Sequence, residues 1–294
     1  MEVLQRTYTS CFLKIYSMNT TITRAISGAV YVLLLIFATL FSPYSFLLLF
    51  GILLLFSVVE FCKLVSLKPL LPLAIATIAF ILFNINSTIK TNDVLLLIAA
   101  LLVSVKALLF LFEKQNKFLD TTSKYVFLIG YLIIPIIIFT KIPFLNADDQ
   151  FINIHANLYN PKNIISILVI IWMNDTFAYL SGITLGKHKL FESVSPKKTI
   201  EGFIGGIVFS IIAGILLAKF YMEEPIIYWI IIALIVGFFG TLGDLIESKF
   251  KRVAGVKDSG NIMPGHGGFL DRLDSIIFVA PFIYLFYQIL YYVS

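Results

Sequence analysis

The chain is predicted to be an all-α polytopic integral membrane protein with about nine transmembrane helices, its N-terminus cytoplasmic and its C-terminus outside. Three observations predict this. The composition is 59% hydrophobic and only 13% charged, with 28 Phe in 294 residues, and the mean hydropathy is +0.96, far more apolar than a soluble domain of this size. Apolar runs recur that can cross a hydrocarbon core, which takes about 20 residues each. Lys and Arg fall on alternate sides of those runs, as the positive-inside rule demands.

The runs lie near 23–41, 46–62, 70–88, 94–112, 125–140, 164–182, 203–219, 226–243 and 275–293. With the N-terminus inside, only Lys90, Lys141, Lys162 and Lys219 fall in outer loops and Lys106 falls within the fourth run. Every other one of the 22 Lys and Arg falls on the inner side. Missing or adding one helix before residue 180 would scramble that division. The net charge of +5 is therefore a mark of topology, and with no basic soluble module a nucleic-acid partner is not expected. Cys11 and Cys62 both fall on or near the inner side, so neither a disulfide nor a thiolate metal site is expected.

Residues 1–22 are read as a cytoplasmic N-terminal segment, within which Met18, just before Asn19 to Arg24, offers an alternative start of translation. The first run is long and lacks a small-residue cleavage site, so it is expected to be retained as a span. Residues 23–160, spans one to five, are nearly featureless and are expected to be scaffold. Glu60 and Lys106 are exceptions, expected to snorkel or to pair inside the bundle. Residues 161–294, spans six to nine with cytoplasmic loops 183–202 and 244–274, are expected to carry the chemistry.

Span six contains Trp172-Met173-Asn174-Asp175-Thr176-Phe177-Ala178-Tyr179. A mid-span carboxylate needs a partner, so Asp175 is a candidate ligand for substrate or a basic group, or else part of an interhelical hydrogen bond. The following loop holds Gly186-Lys187-His188-Lys189 and Ser195-Pro196-Lys197-Lys198-Thr199-Ile200-Glu201-Gly202. Thr199 and Glu201 partly mark a helix start. The lysines exceed that need, and Lys197 and Lys198 are candidate phosphate contacts.

Span eight ends in Gly243-Asp244-Leu245-Ile246-Glu247-Ser248 and span nine starts in Asp271-Arg272-Leu273-Asp274. Asp244, Glu247 and Ser248 share one helix face, as do Asp271 and Asp274. Two antiparallel helix ends can thus converge several oxygens, a set suited to a hard divalent cation such as Mg²⁺. The loop between them carries Lys249, Lys251, Arg252, Lys257 and Asp258, then Gly260, Pro264, Gly265, His266, Gly267 and Gly268. Glycine amides beside basic side chains predict a phosphate cradle.

The run Ser248-x-Phe250-Lys251-Arg252-x4-Lys257-Asp258-x-Gly260-x2-Met263-Pro264-x-His266-Gly267-Gly268-Phe269-x-Asp271-Arg272-Leu273-Asp274 resembles the signature of the phosphatidate cytidylyltransferase (CDP-diacylglycerol synthase) family. Met263 replaces the usual Leu, Ile or Phe, a conservative change. Asp175-x-x-Ala178-Tyr179 and Ser195-Pro196-Lys197-Lys198-Thr199-x-Glu201-Gly202 resemble the family too, so the motif similarity spans roughly residues 170–280.

The resemblance implies conversion of CTP and phosphatidate to CDP-diacylglycerol and pyrophosphate at the cytoplasmic face of a bacterial inner membrane, and it suggests a homodimer. It implies Mg²⁺ on Asp244, Asp271 and Asp274, with room for a second cation. Lys251, Arg252, Lys257, His266 and Arg272 are then expected in catalysis. Asp175, Lys197, Lys198, Ser248, Lys249, Gly267 and Gly268 are expected in substrate binding.

Three rivals stand beside this. A CTP-dependent polyprenol or phytol kinase would use similar groups but pass the γ-phosphoryl to an alcohol. A CDP-alcohol phosphotransferase would carry Asp-Gly-x2-Ala-Arg followed by further Gly and Asp, which the sequence lacks. A transporter would show an inverted repeat, and none is visible.

Overall fold

The computed structural model describes residues 23, 25–85, 90–113, 119–145, 159–260, 262 and 267–293. The N-terminal segment 1–22, with the alternative start at Met18, and His266 lie outside these residues. The chain order is α1 (Ala25–Phe41), α2 (Pro43–Leu64), α3 (Leu70–Ile85), α4 (Lys90–Phe112) and α5 (Thr121–Phe144). Next come α6 (Pro161–Thr184), β1 (Lys189–Phe191), β2 (Ser195–Thr199), α7 (Ile200–Met222), α8 (Ile226–Val253) and α9 (Leu270–Val293). Among the described residues, seven helices are long and apolar enough to cross a membrane, and α1 and α3 are shorter apolar helices. By that measure the chain is an integral membrane protein.

Local chemistry sets the helix starts. At α2, Ser42 and Ser45 form a reciprocal capping box and Pro43 occupies the first turn, where its missing N–H costs nothing. The Asn160 side chain accepts from the Lys162 amide ahead of α6. The Thr199 hydroxyl accepts from the Gly202 amide at α7. Within α5 the backbone widens into a π-helical stretch, Phe127–Ile133, just before Pro135.

The helices split by packing. α6 lies against α7, α7 against α8, and α8 against α9, while α9 also contacts α2, α4 and α5. Close approach depends on small residues: a Cβ on Gly206 of α7 would fall 2.7 Å from Asn174 Oδ1 of α6, and one on Gly214 would fall 2.7 Å from the Trp229 carbonyl oxygen of α8. Aromatic rings fill the rest, with Phe250 of α8 in contact with Phe61, Phe110, Phe127 and Tyr131.

Polar pairs also sit in the bundle among the described residues. The Lys106 ammonium donates to Ser123 Oγ at 3.0 Å and lies over the Phe127 ring. Lys141 is not in a loop but buried at the end of α5, 2.6 Å from Asp93.

The region between α6 and α7, expected to be loop, contains the antiparallel hairpin β1–β2, which pairs Lys189 with Thr199 and Phe191 with Ser195. Buried Val194 in its turn gives its carbonyl to the Arg252 guanidinium of α8 at 3.1 Å. An alternation too short to stand out in the sequence is thus stabilised from outside the hairpin.

Candidate active site

The C-terminal ends of α2, α4, α6 and α8 gather at one end of the bundle. Lys249 of α8 reaches the Glu113 carbonyl just past α4, the hairpin after α6 docks on Arg252, and Lys63 of α2 lines a cavity with Ala254, Val256, Asp258, Ser259, Gly260 and Ile262. The start of α9 meets them there. Gly243 makes this possible: a Cβ at that position would fall 2.6 Å from the Asp274 carbonyl oxygen and 2.8 Å from Phe278 Cβ. Its absence lets α8 and α9 touch where their acidic residues lie.

At that contact Asp244, Glu247 and Asp274 bring carboxylate oxygens within 4.8 Å of one another. Glu247 is fully buried. Its Oε1 has no hydrogen-bond partner among the described residues, while Oε2 is ion-paired with Lys251. The donors are all hard oxygens and one of them is orphaned, so a divalent cation of the Mg²⁺ type fits the set.

Asp271, grouped with Asp244 and Asp274 in the sequence-based expectation, is outside this trio. Its Oδ1 takes the Lys251 ammonium at 2.7 Å. Its Oδ2 accepts from the Ser259 amide at 3.1 Å, the Ser259 hydroxyl at 2.9 Å and the Gly268 amide at 2.8 Å. The first turn of α9 thus directs Asp271 toward the loop and Asp274 toward α8.

Basic groups border the acids. Lys198 of β2 lies 2.6 Å from Asp244 Oδ2, and Lys251 bridges Glu247 and Asp271. Ser248 donates to Asp244 Oδ1 at 3.3 Å. Lys197 and Lys257 are exposed. Arg252 is held by the carbonyls of Val194 and Val256. Lys249 differs from its expected place beside substrate: it is buried, directed at the Glu113 carbonyl at 2.7 Å and close to the Phe110 ring.

Glycines of the loop differ as well. Gly267 has φ +89°, a conformation that favours glycine, and the Gly268 amide is occupied by Asp271. Among the described residues these two glycines shape the turn into α9.

A cavity of about 170 Å³ opens beside the acids, lined by Asp175 and Trp172 of α6, by Asp271, Arg272 and Asp274 of α9, and by the apolar face of α1. Asp175 is brought to this wall, whereas its neighbour Asn174 is buried and takes the Ser210 hydroxyl of α7 at 3.5 Å. Glu201 and His188 pair at 2.6 Å on the exposed rim.

Residues 22–290 match the model of the cytidylyltransferase family. The chain belongs to that family. Proteins named phosphatidate cytidylyltransferase are similar to it: one from Bacillus subtilis is 53% identical over 117 residues, 40% of this chain and 44% of the relative. One from Staphylococcus haemolyticus is 50% identical over 120 residues, 40% of this chain and 46% of the relative. The chain thus spans about half the length of the curated relatives it matches.

Two residues have a larger part in this site than the sequence assigns them. Glu247, which shares a helix face with Asp244, is absent from the metal set implied by the resemblance but stands in the trio. Glu60, expected to snorkel or to pair inside the bundle, is fully buried and accepts from the Phe269 amide, the Leu270 amide and the Ser259 hydroxyl, partners about 200 residues away that no local signal points to.

Proposed function

We propose that the chain is a phosphatidate cytidylyltransferase, a nucleotidyltransferase that converts CTP and phosphatidate to CDP-diacylglycerol and pyrophosphate. The observation that carries this is the trio Asp244, Glu247 and Asp274 flanked by Lys198 and Lys251, beside a cavity whose other wall is apolar α1. A phosphate oxygen of the lipid attacks the α-phosphorus of CTP. The bond from that phosphorus to the α,β-bridging oxygen breaks and pyrophosphate leaves, a displacement governed mainly by positioning and charge neutralisation.

Asp244, Glu247 and Asp274 would hold Mg²⁺, which when bound would orient the triphosphate and stabilise the leaving group. Lys198 and Lys251 each have N–H groups beyond those directed at carboxylates and offer them to phosphate. Arg272 on the cavity wall serves the lipid phosphate. Exposed Lys197 and Lys257, with Arg252, form the basic rim toward CTP. Asp175 orients groups within the cavity. Asp271 holds Lys251 in place.

The proposal includes nine spans with the N-terminus inside and the site facing the cytoplasm of a bacterial cell. The gathering of Lys63, Lys189, Lys197, Lys198, Lys251, Arg252 and Lys257 at one end supports that orientation. The test is incubation of the detergent-purified protein with CTP, Mg²⁺ and either phosphatidate or polyprenol, with mass spectrometry of the lipid. CDP-diacylglycerol is the expected product. Polyprenyl phosphate alone, or no turnover with either lipid, would overturn the proposal.

A further inference from the structure

We propose that Glu60 of α2 is a positioning residue for the catalytic centre, fixing the start of α9 and, through Ser259, the carboxylate of Asp271. The inference rests on the proposed function for its activity readout alone. Glu60 is fully buried. Its Oε1 accepts the Phe269 amide at 3.1 Å, and its Oε2 accepts the Leu270 amide at 2.8 Å and the Ser259 hydroxyl at 3.2 Å. Amides at a helix start have no partner within the helix, and a carboxylate there meets both their hydrogen-bonding need and the positive end of the dipole. Because Glu60 belongs to another helix, it also fixes where α9 begins relative to α2. The stacked rings of Phe56 and Phe269, 5.1 Å apart, clamp the same junction.

Ser259 transmits this position. Its hydroxyl lies within reach of both Glu60 Oε2 and Asp271 Oδ2, and one hydroxyl proton serves one carboxylate at a time. Its amide is directed at Asp271 in either case. The connected order is Glu60, Ser259, Asp271, Lys251, Glu247, and it ends in the acidic trio. Asp274 stands one turn beyond Asp271 on the helix that Glu60 anchors.

Two glycines of the loop agree with this assignment. A Cβ on Gly260 would collide with Glu60 Oε1, and a Cβ on Gly268 would collide with Glu60 Oε2 and Ser259 Oγ. The loop backbone passes close to the carboxylate at both positions, where a side chain would displace it. The span that supplies Glu60 is therefore part of the site's support and not a passive wall.

The test compares wild type with Glu60→Gln, which keeps the volume but sets an NH2 group against N–H donors, and with Ser259→Ala. Hydrogen exchange by mass spectrometry, Mn²⁺ binding by electron paramagnetic resonance, and steady-state kinetics are measured on the full chain in detergent. Glu60→Gln is expected to speed exchange in peptides covering 267–274 while those of α5 and α6 keep their protection. It is also expected to weaken Mn²⁺ binding by about 10- to 100-fold, the usual cost of removing a supporting partner.

The kcat should fall by a similar factor, with KM for phosphatidate within about twofold, and Ser259→Ala should show the same pattern to a smaller degree. Unchanged exchange and Mn²⁺ affinity in Glu60→Gln would overturn the proposal. So would uniform loss of protection across all helices in both variants. If wild type makes no CDP-diacylglycerol, the functional proposal fails, yet exchange and Mn²⁺ binding still decide the role of Glu60.

Discussion

Lys198 Nζ lies 2.6 Å from Asp244 Oδ2, joining the β1–β2 hairpin to the acidic stretch of α8. Both side chains keep contact with solvent, at 25% and 38% exposure, so the pair itself contributes little to stability, on the order of 0–1 kcal/mol. Its consequence is positional: a cation stands beside the acids without being buried among them.

Replacing Lys198 with Met should therefore separate activity from folding. The kcat/KM for CTP is expected to fall about 10- to 100-fold, in line with loss of one charge-assisted phosphate contact. Thermal unfolding in detergent should shift little. A large drop in the unfolding midpoint with kcat/KM preserved would contradict the assignment.

Glu247 and Asp271 share Lys251 but should fail differently. Glu247→Gln removes a member of the trio, so half-maximal activity should require at least about 10-fold more Mg²⁺. Asp271→Asn leaves the trio in place but weakens the hold on Lys251. It should lower kcat at saturating Mg²⁺ by about 100-fold while moving the Mg²⁺ requirement less. Titration of Mg²⁺ against initial rate for both variants checks this.

Gly243→Val tests the helix contact. The added Cβ alone would lie 2.6 Å from the Asp274 carbonyl oxygen, so α8 and α9 must separate, at a cost of about 1–3 kcal/mol. Activity should be lost along with part of the stability. Retention of wild-type turnover would mean that the acids do not need this approach.

Lys141 and Asp93 are remote from the acidic trio and form a buried pair, with side chains 4% and 9% exposed. Lys141→Met leaves an uncompensated carboxylate and should destabilise the protein by about 3–5 kcal/mol, while Lys141→Met combined with Asp93→Leu should recover most of that loss. Chemical unfolding in detergent measures both. Turnover per folded molecule should be unchanged in the double variant.

Much of the architecture was legible because apolar runs and their flanking charges are local signals. The convergence of Asp244 with Asp274 was visible for the same reason, since each acid repeats on one face near a helix end. What could not be read depends on distant partners. The rotation of the first turn of α9, which turns Asp271 to Lys251 and Asp274 to α8, is set by Ser259 and the Gly268 amide.

Gly260 and Gly268 suggested a phosphate cradle, yet their missing side chains make room for Glu60. The hairpin escaped notice because three- and five-residue strands carry too little alternation to compete with the loop signals of Ser195 and Pro196. The sequence places Lys249 among the substrate-binding residues, but one residue past Ser248 the helix faces α4, where the Glu113 carbonyl accepts from it.

The most direct test follows label from CTP carrying ³²P at the α- or the γ-position into lipid, using wild type and Asp274→Asn with phosphatidate and Mg²⁺. The account predicts α-label in lipid and γ-label in pyrophosphate for wild type, and no lipid label for a folded Asp274→Asn. Lipid carrying γ-label, or Asp274→Asn transferring α-label at the wild-type rate, would contradict it.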